Sequence, residues 1–341
     1  MKNLTEQELI KLIQAVFPPL DMDDELAVLI DLPDDTKQDN QSWADRRKIA
    51  VEWVNNLKTS QSELGLSKVH LVAYPNVGSN NADLPEALYI VPDTNLLPET
   101  SNKLETVGTK IDLDSFLKQT QIILAPTEYS TTAPLKMAGK KYNFRAATMA
   151  GFSEKMLPAL RLDYKKVGEK IDILAEKLDR AVTAKVAFVV DNSNEYNVNF
   201  DLRFRKSHPS SGKFIEYGKA GNLPSGETFI VPYEGEKENE ESLTNGIIPV
   251  QFGKEVVYYA IEKNKAVKVT GEGQSQKREA ELIKKEPAYS NIAELGFGVL
   301  DNFGVEPIGE TLLDEKLGFH VAFGRSDHFG GMVGPKDFTS P

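Results

Sequence analysis

The sequence predicts an α/β N-terminal domain with a mostly parallel sheet over residues 1–180. A β-rich (α+β) C-terminal domain follows over residues 181–341. A chain of 341 residues is long for one hydrophobic core, so two domains are expected. Short apolar strands alternate with helices in the first half, which is typical of a helix-covered parallel sheet. The second half has strands of alternating polarity between Gly, Pro and Asn turns, which favours antiparallel sheets or a barrel.

The N-terminal half begins with the capping box Thr5-Glu6-Gln7-Glu8, which predicts a helix ending near Phe17. Apolar runs bounded by turn residues predict buried strands after it. The predicted strands are Leu26 to Leu32, Val69 to Tyr74, Ala87 to Val91, Ile122 to Ala125 and Phe144 to Met149. The predicted helices between them are Gln41 to Leu64, Leu113 to Gln119 and Ser130 to Lys141.

A single long helix from Glu154 to about Ala181 is expected to act as the hinge between the two halves. The period-2 pattern begins after it, and one further helix, Gln276 to Lys285, interrupts that pattern. The predicted strands are Val186 to Val190, Val198 to Phe204, Thr228 to Val231, Val256 to Ile261 and Ala266 to Val269.

Composition excludes several classes of function. The formal net charge of −11 argues against nucleic-acid partners and against an anionic membrane surface. No apolar run approaches the roughly 20 residues that span a bilayer. The N-terminus is amphipathic and carries no export signal, so a cytoplasmic location is expected. With no cysteine in the chain, a metal would need His, Asp, Glu, Tyr or backbone oxygen as ligands.

The run from Asn291 to Gly331 holds the densest set of candidate metal ligands. It carries His320 and His328, two of the four histidines of the chain, together with Glu294 and other carboxylates. Imidazoles and carboxylates on a glycine-rich β framework are the ligands of an oxygen and nitrogen metal site. Glu294 stands among small and apolar residues, so its carboxylate needs a metal, a cation or a hydrogen-bond network.

The other polar residues of interest have a structural explanation as well as a functional one. Glu227 stands before an apolar strand, where its carboxylate points into a cleft or caps a surface turn. His70 lies within an apolar strand and is expected in the core, and His208 lies in a polar turn and is expected to be exposed. The loop after the second strand lacks dinucleotide-binding or P-loop glycine spacing, and no GxSxG is present.

Several pieces of the chain, in order, resemble one enzyme family. They are ILAPTEYSTTAPLKMAGKKYNFRAATMAGFSEKM, NLPSGETFIVPYEG, AELGFG, LLDEKLGFHVAFG and FGG. Together they resemble the aminopeptidase T and aminopeptidase S family of metallo-aminopeptidases, also called leucyl aminopeptidases or thermophilic metalloproteases. The resemblance implies an enzyme that acts on peptides, forms a homodimer and uses divalent zinc, cobalt or manganese.

The resemblance also implies roles for individual residues. It assigns Glu227, Glu294 and His320 as metal ligands. Some members have a tyrosine ligand seven residues after that histidine, where this chain has Asp327 with His328 beside it, so His328 is a fourth candidate.

The chain departs from the family pattern at its end. The family has a His-x-Asp pair shortly after the FGG turn, and none follows Gly331 here. One interpretation is a chain cut before the pair, and another is a variant in which the two-metal site of the family is depleted of ligands. Three functions therefore stay open: a metal-dependent aminopeptidase, a mononuclear iron dioxygenase that cleaves dihydroxypyridine rings, and a homologue that has lost its ligands.

Overall fold

The structure, a computed structural model, describes residues 3–339. The chain divides into two compact units. Unit 1 contains the chain up to Glu169 with the later segments Ser210–Gly226 and Leu300–Leu317. Unit 2 contains Lys170–Pro209, Glu227–Val299 and the chain from Gly318 onward.

The α-helices and β-strands of the described residues follow in chain order. The helices are α1 (Glu6–Val16), α2 (Gln41–Thr59), α3 (Leu104–Val107), α4 (Leu113–Gln119), α5 (Thr132–Gly139), α6 (Leu157–Leu160), α7 (Tyr164–Arg180), α8 (Gln274–Lys285) and α9 (Thr311–Asp314). The strands are β1 (Glu25–Leu32), β2 (Lys68–Pro75), β3 (Ala87–Val91), β4 (Thr109–Asp112), β5 (Ile122–Ala125), β6 (Arg145–Thr148), β7 (Thr183–Val190), β8 (Asn194–Asp201), β9 (His208–Ser210), β10 (Ala220–Asn222), β11 (Glu227–Ile230), β12 (Asn245–Phe252), β13 (Glu255–Glu262), β14 (Lys265–Gly271), β15 (Ile292–Gly298) and β16 (Phe319–Phe323).

Unit 1 is built on a seven-stranded sheet in the order β10-β6-β5-β1-β2-β3-β4. The pairs from β10 through β2 are parallel, and β3 and β4 add an antiparallel edge. Every residue of β1 is buried, as expected for a central parallel strand covered on both faces. The predicted α/β domain with a mostly parallel sheet is confirmed.

Asp31 anchors a loop at the carboxyl end of β1. It is 1% exposed, and its carboxylate accepts hydrogen bonds from the backbone N–H groups of Glu128 (2.8 Å) and Tyr129 (3.1 Å) and from the Trp43 indole (3.2 Å). The buried Arg46 guanidinium forms an ion pair with Glu128 of the same loop. Because burial disfavours the charged carboxylate more than these donors favour it, the pKa of Asp31 rises to about 6.

Unit 2 contains two antiparallel sheets. One has five strands in the order β14-β13-β12-β8-β7, and the other has four in the order β16-β15-β11-β9. A hydrophobic core joins side chains from both sheets, including Phe200, Val257, Ile230 and Leu295. The predicted β-rich (α+β) domain is confirmed, with two sheets and helix α8.

The predicted long helix from Glu154 to Ala181 is wrong in its continuity. The structure has a 3₁₀ turn at Glu154–Met156, the short helix α6, and the separate helix α7. Asp163 causes the break, because its carboxylate accepts hydrogen bonds from the backbone N–H groups of Lys165 (3.0 Å) and Lys166 (3.3 Å). This is the role of an N-cap residue, so a new helix begins there.

None of the helices within residues 3–339 has the length and apolar character needed to cross a lipid bilayer.

Candidate metal centre

Three adjacent strands of the four-stranded sheet carry the candidate ligands. Glu227 begins β11, Glu294 lies in β15 and His320 lies in β16. In the antiparallel register Glu227 pairs with Gly298, and His320 pairs with Gly296. Because alternate residues of a strand share a face, all three side chains stand on the face opposite the hydrophobic core of unit 2.

The three side chains converge on one point. The His320 Nε2 atom lies 3.0 Å from Glu294 Oε1 and 3.5 Å from Glu227 Oε2. One ligand atom from each residue lies within 4.8 Å of the other two, close enough for all three to bind a single ion. Glu227 is 5% exposed, and the other two side chains are half-buried.

The His320 ring is held in the orientation of a metal ligand. Its Nδ1 atom lies 3.2 Å from the carbonyl oxygen of Gly318, and a carbonyl can only accept, so Nδ1 carries a hydrogen. This leaves Nε2 directed at the two carboxylates. Histidine ligands commonly donate from the other ring nitrogen to a backbone carbonyl in this way.

Gly296 provides the space for that ring. A Cβ atom on Gly296 would overlap the Nε2 and Cε1 atoms of His320, because the imidazole lies directly over the Gly296 backbone. A glycine in the middle of a strand often marks such a close approach. Gly296 of AELGFG is thus part of the geometry of this centre.

The two carboxylates change the protonation of His320. Burial disfavours the imidazolium, but the hydrogen bond to Glu294 and the charges of Glu227 and Glu294 outweigh burial, so the pKa of His320 is raised. Without a metal, the two carboxylates therefore favour a proton on Nε2.

The donor set fits a divalent ion. Two carboxylate oxygens and one imidazole nitrogen suit zinc, manganese, cobalt or iron(II), and they neutralise a charge of +2. Glu227, Glu294 and His320 would hold the ion. Among the residues that the structure describes, this cluster is the one group of three or more potential ligands found this close together.

His328 lies outside this cluster. Its side chain is exposed, and its Nδ1 atom lies 3.4 Å from Asp327 Oδ1. The Asp327 carboxylate is paired with Arg325 at 2.6 Å. Both residues belong to the segment Arg325–Gly331. In this segment the His328 ring packs against Phe329, and neither His328 nor Asp327 belongs to the cluster of three ligands.

His208 and Phe229, which the sequence did not indicate as site residues, lie in the sheet that carries the three candidate ligands. His208, expected in an exposed turn, is half-buried in β9, and its ring stacks on Phe229 with centroids 5.1 Å apart. Phe229 stands two residues after Glu227 on the same face of the sheet. His208 precedes a proline in a polar stretch, so no local pattern indicated a strand. The two-residue spacing of Glu227 and Phe229, by contrast, could have placed both side chains on one face of a strand.

Comparisons with known proteins give structural matches and no sequence match. No protein-family model and no curated protein matches the chain. The solved structure of 2,5-dihydroxypyridine dioxygenase from Pseudomonas putida KT2440 matches with a TM-score of 0.60, 16% identity, and coverage of 97% of this chain and 90% of that chain. AmpT from Thermus thermophilus matches with a TM-score of 0.50, 13% identity, and coverage of 94% and 86%. At these identities, the matches show a shared fold.

Proposed function

We propose that the protein is a metal-dependent aminopeptidase that releases N-terminal residues from peptides. The convergence of Glu227, Glu294 and His320 on one point carries this proposal. Two carboxylates and one histidine differ from the two-histidine, one-carboxylate set of many non-haem iron oxygenases. Hydrolytic zinc sites also combine imidazole with carboxylate, and they keep an open position for water.

The roles of the chain's own residues follow from their contacts. A divalent ion in such a site supplies a water of lowered pKa and polarises the scissile carbonyl. His320 would bind through Nε2, with Nδ1 held by the Gly318 carbonyl. Glu227 and Glu294 would bind through carboxylate oxygens, and either is a candidate to accept a proton from water and return it to the leaving amine.

An aminopeptidase has to hold the free α-amino group of its substrate. As a neutral amine this group is a nitrogen donor, so an ion held by Glu227, Glu294 and His320 would offer it an open position. Holding the amine would favour cleavage at the N-terminus over cleavage within a chain. The peptide partner, the homodimer and the cytoplasmic location belong to the same proposal.

Metal analysis and peptide hydrolysis together test the proposal. The purified chain is dialysed against zinc, manganese or cobalt, its metal content is measured, and the release of N-terminal residues is followed by mass spectrometry. We expect bound metal and hydrolysis, both lost in Glu294→Gln and His320→Ala. His70→Ala is the matched control, because His70 also faces a carboxylate, that of Glu25 at 3.3 Å, but belongs to no three-ligand cluster.

A second candidate is a ring-cleaving dioxygenase. The aromatic side chains beside the ligands favour it, since Phe229 and His208 offer surfaces to an aromatic substrate. A neighbouring structure with this fold is a dihydroxypyridine dioxygenase. Bound iron with oxygen consumption in the presence of an aromatic diol would favour this candidate. Absence of both metal binding and activity would favour a homologue that has lost its ligands.

A further inference from the structure

An aromatic wall stands beside the metal ligands on the same face of the sheet. We define it as His208, Phe229 and Phe329. Phe229 follows Glu227 by two residues, so their Cα atoms are about 7 Å apart along β11. In the sheet order, β9 with His208 is the next strand on the side away from β15. The wall thus continues the ligand face outward from Glu227.

The three rings pack in geometries that aromatic side chains favour. His208 and Phe229 are stacked with an interplanar angle of 21°, and Phe329 meets Phe229 edge-on at 4.7 Å. His208 Nε2 lies 3.0 Å from the carbonyl oxygen of Phe329, which fixes the plane of the imidazole. Phe229 is 9% exposed, whereas His208 and Phe329 are half-buried and present part of their surface.

Hydrogen bonds connect the segment that contains Phe329 to the rest of unit 2. The Glu234 carboxylate accepts hydrogen bonds from Ser326 Oγ (2.6 Å), from Asn291 Nδ2 (2.7 Å) and from the Met332 backbone N–H. Arg205 also donates to the carbonyl oxygen of Gly330 at 3.0 Å. Because the chain is hydrogen-bonded on both sides of Phe329, the position of this ring is fixed before a ligand binds. Binding therefore does not have to bear the entropic cost of ordering the ring.

We propose that this aromatic wall is a specificity subsite that binds an aromatic ring next to the metal ligands. The inference rests on the proposed function and adds a substrate class to it: peptides whose first residue is Phe or Tyr. Ring contact is the recognition that such a surface offers. An aromatic diol has the same ring chemistry and is the alternative source of the ligand.

The experiment separates ring binding from catalysis. Binding of L-phenylalaninamide and L-alaninamide to the full chain is measured by calorimetry, with and without manganese, and hydrolysis of Phe-Ala-Ala and Ala-Ala-Ala is measured in parallel. We expect roughly tenfold preference for the aromatic compound in both assays. Phe229→Leu, which keeps apolar volume and removes the ring, should abolish most of this preference and leave manganese affinity unchanged.

Two further variants keep the test decisive. Phe323→Leu is the control, because Phe323 lies in the same sheet but packs into the core against Tyr259, and it should retain the preference. His208→Gln keeps a donor for the Phe329 carbonyl and removes the stacked ring, so it replaces Phe229→Leu if that variant does not fold.

The outcomes distinguish the two proposals. Hydrolysis without ring preference, or with a preference unchanged in Phe229→Leu, would overturn the subsite and leave the aminopeptidase standing. Ring preference in binding without hydrolysis of any peptide would support the subsite and overturn the aminopeptidase. Wall-dependent binding of catechol in place of L-phenylalaninamide would assign the ring to a diol and overturn the peptide source.

Discussion

His320 and Glu294 lie on neighbouring strands with Nε2 and Oε1 3.0 Å apart, a contact that favours a proton on Nε2 when no metal is bound. The raised pKa of His320 follows from this contact, together with the charge of Glu227. A metal at the same point must displace that proton, because a ligating imidazole is neutral on Nε2. Metal binding and protonation of His320 are therefore competing events.

The first prediction is that metal affinity falls as pH falls. Because the pKa of His320 is raised, protonation competes with metal binding at higher pH than it would for an ordinary imidazole. Calorimetric titration with manganese should give tighter binding at pH 8 than at pH 6. Near neutral pH, the heat should change with the ionisation enthalpy of the buffer, since a proton is released. An affinity that is constant over this range would contradict the competition between metal and proton.

The second prediction concerns the glycine under the histidine ring. Gly296→Ala should displace the His320 imidazole, because the added methyl group would overlap it. Metal affinity should fall at least tenfold, with a loss of stability of about 1–3 kcal/mol from the overpacking. Gly318→Ala is the matched control, since a Cβ there meets no atom within 4 Å. Equal metal affinity in both variants would show that His320 is not a ligand.

These contacts explain which parts of the site the sequence could reveal. The α/β and β-rich halves follow from hydrophobic periodicity, a local property, and both were predicted. Glu294 and His320 stood out because a carboxylate and an imidazole within apolar strands require partners. Their mutual distance depends on strand register, which no single segment contains.

His208 shows where local reasoning fails. Its neighbours are polar, so nothing nearby distinguishes a surface turn from a short edge strand. Its half-buried position depends on Phe229 and on the carbonyl of Phe329, which lies 121 residues away. The break in the long predicted helix is different, because Asp163 is a recognisable N-cap residue within an otherwise helical pattern.

The third prediction is a pH-dependent stability of unit 1 caused by Asp31. Burial raises its pKa in the folded chain to about 6, from an ordinary value of 3.8. The folded state therefore holds a proton that the unfolded state has released, and stability falls as pH rises through this interval. The free energy of unfolding should decrease by up to about 3 kcal/mol between roughly pH 3.5 and pH 6.5, relative to Asp31→Asn.

Urea unfolding followed by tryptophan fluorescence measures this effect. Both tryptophans, Trp43 and Trp53, belong to unit 1, and the Trp43 indole donates to Asp31 itself. The Asn variant has no carboxyl group at position 31 to titrate, so its stability should lack this pH-dependent contribution. Parallel pH profiles for the two proteins would argue that Asp31 does not titrate in this interval.

The fourth prediction is that Glu234 controls the order of the segment Arg325–Gly331. Its carboxylate accepts from Ser326, Asn291 and the Met332 backbone, and the Ser326 side chain is fully buried. Glu234→Gln removes the charge and one acceptor, which should cost about 1–3 kcal/mol locally. Hydrogen exchange of amides in residues 325–333 should accelerate at least fivefold, whereas exchange in β1 stays unchanged. Glu238→Gln, a substitution at an exposed position four residues after Glu234, should alter neither. If exchange in this segment is equally slow in Glu234→Gln, the segment is held by contacts other than this carboxylate.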